Sequence, residues 1–164
     1  MKAWLGLGSN LQEPVMQLQQ ALRRVGETTG LKVLRTSSFY RTPPWGDEQQ
    51  DDFINAVVQI ETSLEPLNLL GELKTIENLM GRKRSGRRWG PRLIDIDLLL
   101  YGDQQLYMDE LEVPHPRMHE RAFVLIPLAE LDPELDIPGR GSVENLLQQV
   151  DCSGIKRLEN DNLD

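Results

Sequence analysis

Residues 93–101 read LIDIDLLLY, a stretch in which two aspartates alternate with apolar residues. Side chains alternate between the two faces of a β-strand, so Asp95 and Asp97 share one face while the apolar residues around them share the other. The apolar set predicts a strand that packs on the core through that second face. The strand is therefore expected to present two carboxylates, about 7 Å apart, on its other face.

The elements before this strand predict a βαββαβ order. Strands are expected at 2–8, 31–42 and 53–60, where apolar, β-branched and aromatic residues predominate. Helices are expected from Pro14 onward and over 64–80, because apolar residues recur there at three- and four-residue steps. Together with the last strand, this order predicts an α+β fold of the ferredoxin-like type, a single-domain α/β sandwich.

The C-terminal third shows no repeat and no clear linker, so it is expected to add to the same domain. It contains one expected short helix, near 143–150, and it ends in a tail at 151–164 whose role the sequence does not indicate. Residues 1–164 are therefore predicted to form a single domain.

Charge is distributed unevenly along the chain. There are 18 Lys and Arg residues against 26 Asp and Glu, a net charge of −8. Residues 82–92, RKRSGRRWGPR, hold six of the basic residues, and without them the chain has 12 basic and 26 acidic residues, or −14. Such an acidic remainder argues against binding to nucleic acids or membrane surfaces.

The cysteine content and the N-terminus favour a cytoplasmic protein. Cys152 is the only cysteine, so neither an intrachain disulfide nor a cysteine metal cluster can form. The opening residues MKAWLGLGSN lack the long apolar stretch of a signal peptide, and no segment reaches the length of a membrane span.

Two glycine-containing segments resemble nucleotide-binding motifs but lack their defining residues. GLGSNL at 6–11 has no third glycine and no acidic residue ends the next strand, which excludes a Rossmann site. GRKRSGRR at 81–88 has Arg87 and Arg88 where a P-loop requires Lys followed by Ser or Thr. Any nucleotide is therefore bound in another way.

The aspartate pair and the basic segment together indicate phosphate chemistry. Two carboxylates on one strand face repel each other unless a cation lies between them, and Mg²⁺ takes one or two carboxylates plus phosphate oxygens. Arginines at 82, 84, 88 and 92 lead into the strand and would add bidentate donors for a triphosphate. The alternatives are an exposed aspartate pair neutralised by arginines and a solvated run of charge.

Two further candidate sites are weaker. His115 and His119 are four residues apart and could ligate zinc from one helix. Glu120 is the only candidate for a third ligand nearby in the sequence. A phosphate contact from His115 and Arg121 is the favoured interpretation, beside plain surface roles. Trp89 could stack on an RNA base, but the aromatic pattern of RNA-binding ferredoxin-like domains is absent.

Five segments resemble the 6-hydroxymethyl-7,8-dihydropterin pyrophosphokinase family. They occur in the family's order, over residues 1 to about 150: GLGSNL at 6–11, SSFYRTPPWG at 37–46, DFINAVVQIET at 52–62, RWGPRLIDIDLLLY at 88–101 and VPHPRMHERAFVLIPLAEL at 113–131. The resemblance implies an ATP-dependent enzyme of folate biosynthesis that transfers an intact diphosphate to the hydroxymethyl oxygen of the pterin and releases AMP. The alternative is a ferredoxin-like nucleotide- or RNA-binding module without catalysis.

The resemblance also implies roles for individual residues. Asp95 and Asp97 would hold two Mg²⁺ ions and act in catalysis together with Arg82 and Arg92. The remaining ATP contacts would come from Glu77, Arg84, Trp89, Leu98, His115 and Arg121, in addition to Arg92. The pterin would be bound by Gly8, Thr42, Pro43, Pro44, Trp45, Phe53, Asn55 and Phe123, with the two phenylalanines stacking on its faces. The expected partners are these small molecules alone, bound by a monomer.

Overall fold

The computed structural model describes residues 1–44, 51–81 and 93–159 of the chain. Within these ranges the fold is α+β and is organised around an antiparallel sheet. In chain order the elements are β1 (Lys2–Ser9), α1 (Pro14–Glu27), β2 (Leu31–Thr36), β3 (Tyr40–Thr42), β4 (Phe53–Thr62), α2 (Pro66–Gly81), β5 (Asp95–Tyr101), β6 (Leu106–Tyr107), β7 (Glu112–Val113), a 3₁₀ turn (Met118–Glu120), α3 (Ala122–Leu131), β8 (Asp136–Ile137), β9 (Gly141–Ser142), α4 (Val143–Leu147) and β10 (Lys156–Arg157).

The main sheet has six strands in the described part of the chain, and every neighbouring pair is antiparallel. Its path runs β10-β3-β4-β1-β5, and β2 pairs with β4 on the same side as β3. The two short strands thus share the long strand β4, with β3 opposite residues 53–55 and β2 opposite residues 58–62. The long central strands β1 and β4 place the site described below.

The prediction of one continuous strand at 31–42 is wrong, because the strand is interrupted between β2 and β3. At the break, the Ser37 hydroxyl accepts a hydrogen bond from the Val57 amide at 2.9 Å and donates to the Ser38 carbonyl at 2.8 Å. The Glu130 carboxylate accepts hydrogen bonds from the Ser38 amide and hydroxyl and from the Tyr40 hydroxyl. Side chains therefore replace the regular ladder here and turn the chain into β3.

Two apolar cores lie on opposite faces of the sheet. The first joins β1, β4 and β5 to α1 and α2, through residues such as Leu18 and Leu73 that are fully buried. As expected from the alternation in β5, Ile96 and Leu98 point into this core. The second core joins Trp4 and Leu99 to α3 and α4, so that helices cover both faces at one end of the sheet.

Helix α3 is not predicted from the sequence, which indicates only one short helix in the C-terminal third. Its sequence AFVLIPLAEL is apolar on almost every side, so no helical period marks it, and Pro127 lies inside it. A helix that is apolar all round becomes stable when it is buried on most sides. It covers only part of its face of the sheet, and the uncovered part carries the site.

Several other boundaries differ by a few residues from those expected. The last long strand starts at Asp95 instead of Leu93, the second helix runs over Pro66–Gly81, and the final helix ends at Leu147. Among the residues that the structure describes, no helix is both long and apolar enough to cross a membrane.

Candidate active site

The floor of the site is one cross-strand row of the main sheet. Gly8 on β1 is opposite Asp95 on β5 and also opposite Asn55 on β4. Residues that are directly opposite in a sheet project to the same face, so the carboxylate and the amide flank the glycine. Neighbouring strands lie about 4.8 Å apart, which places Asp95 and Asn55 roughly 10 Å from each other across the floor.

Glycine is required at the centre of this row because Asn55 occupies the adjacent space. A Cβ atom built on Gly8 would lie 2.8 Å from Asn55 Nδ2, closer than carbon and nitrogen atoms approach without movement. The next residue on the same face is Gly6, which is opposite Asp97 and packs against the Leu99 side chain. The two glycines leave the floor open between the acidic and amide ends.

A cavity of about 420 Å³ stands on this floor. The sheet supplies one side of it and residues around the start of α3 supply another. The lining side chains and backbone belong to Gly6, Leu7, Gly8, Thr42, Pro43, Phe53, Asn55, Ala56, Val57, Asp95, Asp97, Leu99, Arg117, Glu120, Arg121, Phe123 and Val124. One end of the cavity is thus apolar and aromatic with a few polar groups, while the other is charged.

The apolar end contains two buried acceptors that protein groups do not satisfy. Asn55 Oδ1 and Thr42 Oγ1 have no hydrogen-bond partner among the residues that the structure describes, although both side chains are at least nine-tenths buried. Leaving a buried polar group unpaired costs about 1–3 kcal/mol. Such groups in a cavity are typical of a binding site whose ligand supplies the missing partners.

The charged end is built on β5, an edge strand of the described sheet. Asp95 and Asp97 are both exposed and both line the cavity. Between them, the Ile96 amide donates a 2.7 Å hydrogen bond to Glu77 Oε2 on α2. Because this bond ties an edge strand to a helix of the first core, it fixes the backbone that carries both aspartates.

These carboxylates suit Mg²⁺ better than zinc. Two oxygen donors that face a cavity leave most of an octahedral shell to phosphate oxygens and water, as Mg²⁺ prefers. In residues 1–44, 51–81 and 93–159, no three His, Cys, Asp or Glu side chains are grouped to hold a metal without such a ligand. The zinc alternative for His115 and His119 is therefore not supported, and His119 instead lies 3.5 Å from Glu120.

His115 is held beside the charged end as a neutral donor. Its amide donates to the Leu99 carbonyl at 2.9 Å, and the Arg117 amide donates to His115 Nδ1 at 3.2 Å. Burial lowers the pKa of His115, and although Asp97 acts in the opposite direction, Arg121 lowers it further. With Nδ1 acting as an acceptor, the neutral imidazole carries its proton on Nε2.

The start of α3 supplies a cation and an aromatic ring together. Arg121 precedes the helix, and its Cζ atom lies 5.6 Å from the centre of the Phe123 ring. Arg117 and Glu120 also line the cavity, although the sequence assigns no role to Arg117 and suggests Glu120 only as a third zinc ligand. Their position follows from the docking of 113–131 onto the sheet, which sequence periodicity does not reveal.

The structure brings together most of the predicted site residues that it describes. Those lining the cavity are Gly8, Thr42, Pro43, Phe53, Asn55, Asp95, Asp97, Arg121 and Phe123. Pro44 lines a neighbouring cavity, Glu77 lies behind β5, and the Leu98 side chain is buried in the first core. Outside the described residues are Trp45, Arg82, Arg84, Trp89 and Arg92.

The site defines a class of protein in which an aromatic, amide-lined pocket adjoins carboxylates suited to Mg²⁺ and phosphate. Comparison with known proteins identifies the family. The model of the 7,8-dihydro-6-hydroxymethylpterin-pyrophosphokinase family (HPPK) matches residues 4–133, and the chain belongs to this family.

Relatives of nearly the same length show the same similarity. The chain is 48% identical over 158 residues to 2-amino-4-hydroxy-6-hydroxymethyldihydropteridine pyrophosphokinase of Methylorubrum extorquens, covering 96% of this chain and 99% of the relative. It is 45% identical over 147 residues to the protein of the same name from Haemophilus influenzae, covering 90% of this chain and 91% of the relative.

Solved structures support the fold. The wild-type HPPK-DHPS of Plasmodium falciparum with pteroate matches with a TM-score of 0.72 at 18% sequence identity. The match covers 90% of this chain but 42% of that chain, so the present protein spans less than half the length of the fused one. At this level of identity the likeness shows the fold alone.

Proposed function

We propose that the chain transfers a diphosphate from ATP to the hydroxymethyl oxygen of 6-hydroxymethyl-7,8-dihydropterin, a step of folate biosynthesis. The observation that carries the proposal is the cross-strand row in which the buried, unpaired Asn55 Oδ1 and the exposed Asp95 flank Gly8. The row offers an acceptor for a heterocycle at one end and a carboxylate for metal-bound phosphates at the other. Membership of the pyrophosphokinase family supports the pterin as the heterocycle and ATP as the source of the phosphates.

The pterin is proposed to occupy the apolar end of the cavity. Its amino-pyrimidinone edge carries adjacent N–H donors, which suit the unpaired oxygens of Asn55 and Thr42. Phe53 and Phe123 both line this end and are proposed to stack on the two faces of the ring. Gly8 leaves space beneath the ring, and the backbone at Pro43 and Pro44 forms the rim.

The phosphates of ATP are proposed to lie at the charged end. Asp95 and Asp97 would hold Mg²⁺, of which the family resemblance implies two ions, and bound Mg²⁺ neutralises negative charge on phosphate oxygens. His115 would donate from Nε2 and Arg121 would add positive charge. Arg82 and Arg92, together with Arg84, Trp89 and Leu98, are proposed to complete the ATP site, and Trp45 the pterin site.

The chemistry that follows needs positioning more than it needs a protein nucleophile. The hydroxymethyl oxygen forms a bond to the β-phosphorus, the bond from that phosphorus to the α,β-bridging oxygen breaks, and AMP leaves. The hydroxyl proton is lost, and Asp97 is a candidate acceptor. A cavity that fixes the pterin next to the phosphates makes the attack effectively intramolecular, a contribution worth up to about 7–11 kcal/mol in well-oriented systems.

The proposal also includes the ferredoxin-like topology, the oligomeric state and the cellular location. The order of the main strands, with β2 and β3 counted as one strand, supports a ferredoxin-like core. A monomer that acts on ATP and the pterin is also proposed, as the family resemblance implies. Because ATP and the pterin are intracellular metabolites, the cytoplasm is the proposed location.

Formation of AMP tests the proposal directly. Purified protein is incubated with ATP and Mg²⁺, with or without the dihydropterin, and AMP and the pterin diphosphate are quantified. We expect AMP to form only when the pterin is present, in equal amount to the pterin diphosphate. Absence of pterin-dependent AMP, together with tight RNA binding at physiological salt, would favour the non-catalytic binding module.

A further inference from the structure

The C-terminal segment is attached to the strand that carries one wall of the cavity. β10 pairs with β3, so that Lys156 is opposite Arg41 and Arg157 is opposite Tyr40. The Leu158 amide then donates to the Phe39 carbonyl at 2.8 Å, and the Leu158 side chain packs on the first core. Strand β3 leads directly into Thr42 and Pro43, which line the cavity.

Gly154 lies against the outer side of this wall. A Cβ atom built on Gly154 would lie 2.9 Å from Pro43 Cγ and 3.5 Å from Pro43 Cδ. Because these atoms belong to a closed ring joined to the backbone, the ring cannot turn aside as a flexible side chain would. The φ angle of Gly154 is +81°, so the turn also favours glycine on conformational grounds.

The C-terminal segment also lines a second cavity. This cavity, of about 640 Å³, is lined by Ser153 and Ile155. Pro43 and Phe123 line both cavities. The contact between Gly154 and Pro43 therefore joins the C-terminal segment to a residue that lines both cavities.

We propose that the C-terminal segment 152–159 positions the pterin-binding wall, and that Gly154 sets the depth of the pocket by the closeness of its contact with Pro43. This inference rests on the proposed function, because it assumes that the pterin binds at the apolar end of the first cavity. Gly154 is a positioning residue, since it touches the wall and not the ligand. A side chain at 154 pushes the proline toward the pterin and leaves the charged end unchanged.

The chain contains a closely matched control for the test. Gly139 has a φ angle of +79°, and a Cβ atom there would have no neighbour closer than 3.8 Å. Gly154→Ala and Gly139→Ala therefore place alanine at nearly the same positive φ angle, but only the first adds the clash with Pro43. Steady-state kinetics are measured for both substrates, and thermal unfolding is used to compare the stability of the two variants.

We expect Gly154→Ala to raise KM for the pterin about tenfold relative to Gly139→Ala, with kcat and KM for ATP changed by no more than about twofold. The effect should shrink in a Pro43→Ala background, because the ring that transmits it is gone. If Gly154→Ala does not fold, the full-length variants Gly154→Asn and Gly139→Asn are compared in the same way, because asparagine tolerates a positive φ better than alanine and adds the same Cβ contact, and Gly154→Asn should show the same selective rise.

Two different negative results separate this inference from the proposed function. If wild-type protein forms pterin-dependent AMP but Gly154→Ala and Gly139→Ala have equal KM values for the pterin, the positioning role is wrong and the enzyme assignment stands. If wild-type protein neither forms AMP with the pterin nor binds it in calorimetry, the proposed function fails and the positioning role fails with it.

Discussion

Asp95 and Asn55 lie in one cross-strand row of the sheet, separated by Gly8. The carboxylate is exposed at the edge strand, whereas the amide is buried on the long central strand β4. The two ends of the row thus offer opposite environments within roughly 10 Å. Because sheet register is rigid, the fold sets the separation of the two proposed binding positions before any ligand binds.

Asn55→Leu is predicted to separate binding from stability. The unpaired Oδ1 lowers the stability of the free protein, so replacing the amide with an apolar side chain of similar size should leave the free energy of unfolding unchanged or raise it. The pterin would then lose its acceptor, and its affinity should fall about 10- to 100-fold. Calorimetric titration with the pterin and denaturant unfolding measure the two quantities, and a large loss of stability with unchanged affinity would contradict the assignment of Asn55.

Gly8→Ala is predicted to damage both binding and stability. The added methyl group would lie 2.8 Å from Asn55 Nδ2, so the amide must move, at a cost of about 1–3 kcal/mol in the free energy of unfolding. Gly71 on α2 is the control, because a Cβ atom there meets nothing within 4 Å. Gly71→Ala should be neutral or stabilising by up to about 1 kcal/mol in the same denaturant experiment.

The sequence predicts the α+β class and the orientation of the aspartates because both depend on short-range periodicity. Alternation in 93–101 places Asp95 and Asp97 on the face opposite Ile96, as the structure confirms. Helix α3 cannot be predicted in this way, since it is apolar all round and contains Pro127. Its burial against the sheet, and hence the position of Phe123, is a tertiary effect.

The pairing of Gly8 with Asn55 and Asp95 across the sheet also cannot be predicted from sequence periodicity. Nothing local to Gly8 indicates that Asn55 lies opposite it, 47 positions along the chain. The break at Ser37 is another such case, because its cause is a set of side-chain hydrogen bonds to Val57 and Glu130 that forms only after β4 and α3 have packed. The family resemblance implies which residues form the site, and the structure gives the arrangement of those that it describes.

Asp97→Asn is predicted to abolish diphosphate transfer and to leave the fold intact. Asp97 is exposed and faces the cavity, so its charge is not needed for packing. Loss of one of two carboxylates available to Mg²⁺ should lower kcat/KM by more than about 100-fold. Asp103→Asn, at an exposed position that does not line the cavity, is the matched control in the AMP assay and should retain activity.

His115 should make the metal-free protein less stable in mild acid. Its pKa in the folded state is lowered, chiefly by burial, whereas the unfolded value is about 6.5. The unfolded chain therefore binds the proton first, and stability is lost as the pH falls from the unfolded pKa through the folded one. Relative to His115→Gln, the wild-type protein should lose more free energy of unfolding between about pH 7.5 and about pH 5. Parallel pH profiles for the two proteins would contradict this.

Glu77 is predicted to fix the position of β5 through the hydrogen bond that its side chain accepts from the strand backbone. Glu77 Oε2 accepts from the Ile96 amide, which lies between the two aspartates. Glu77→Ala would remove that acceptor and should lower the free energy of unfolding by about 1–2 kcal/mol, with a rise in the Mg²⁺ concentration needed for half-maximal activity. Glu77→Gln keeps an acceptor oxygen of the same reach and should restore most of both quantities. If Gln and Ala variants behave alike in a Mg²⁺ titration, the charge of Glu77 acts on the nucleotide directly and the strand contact is secondary.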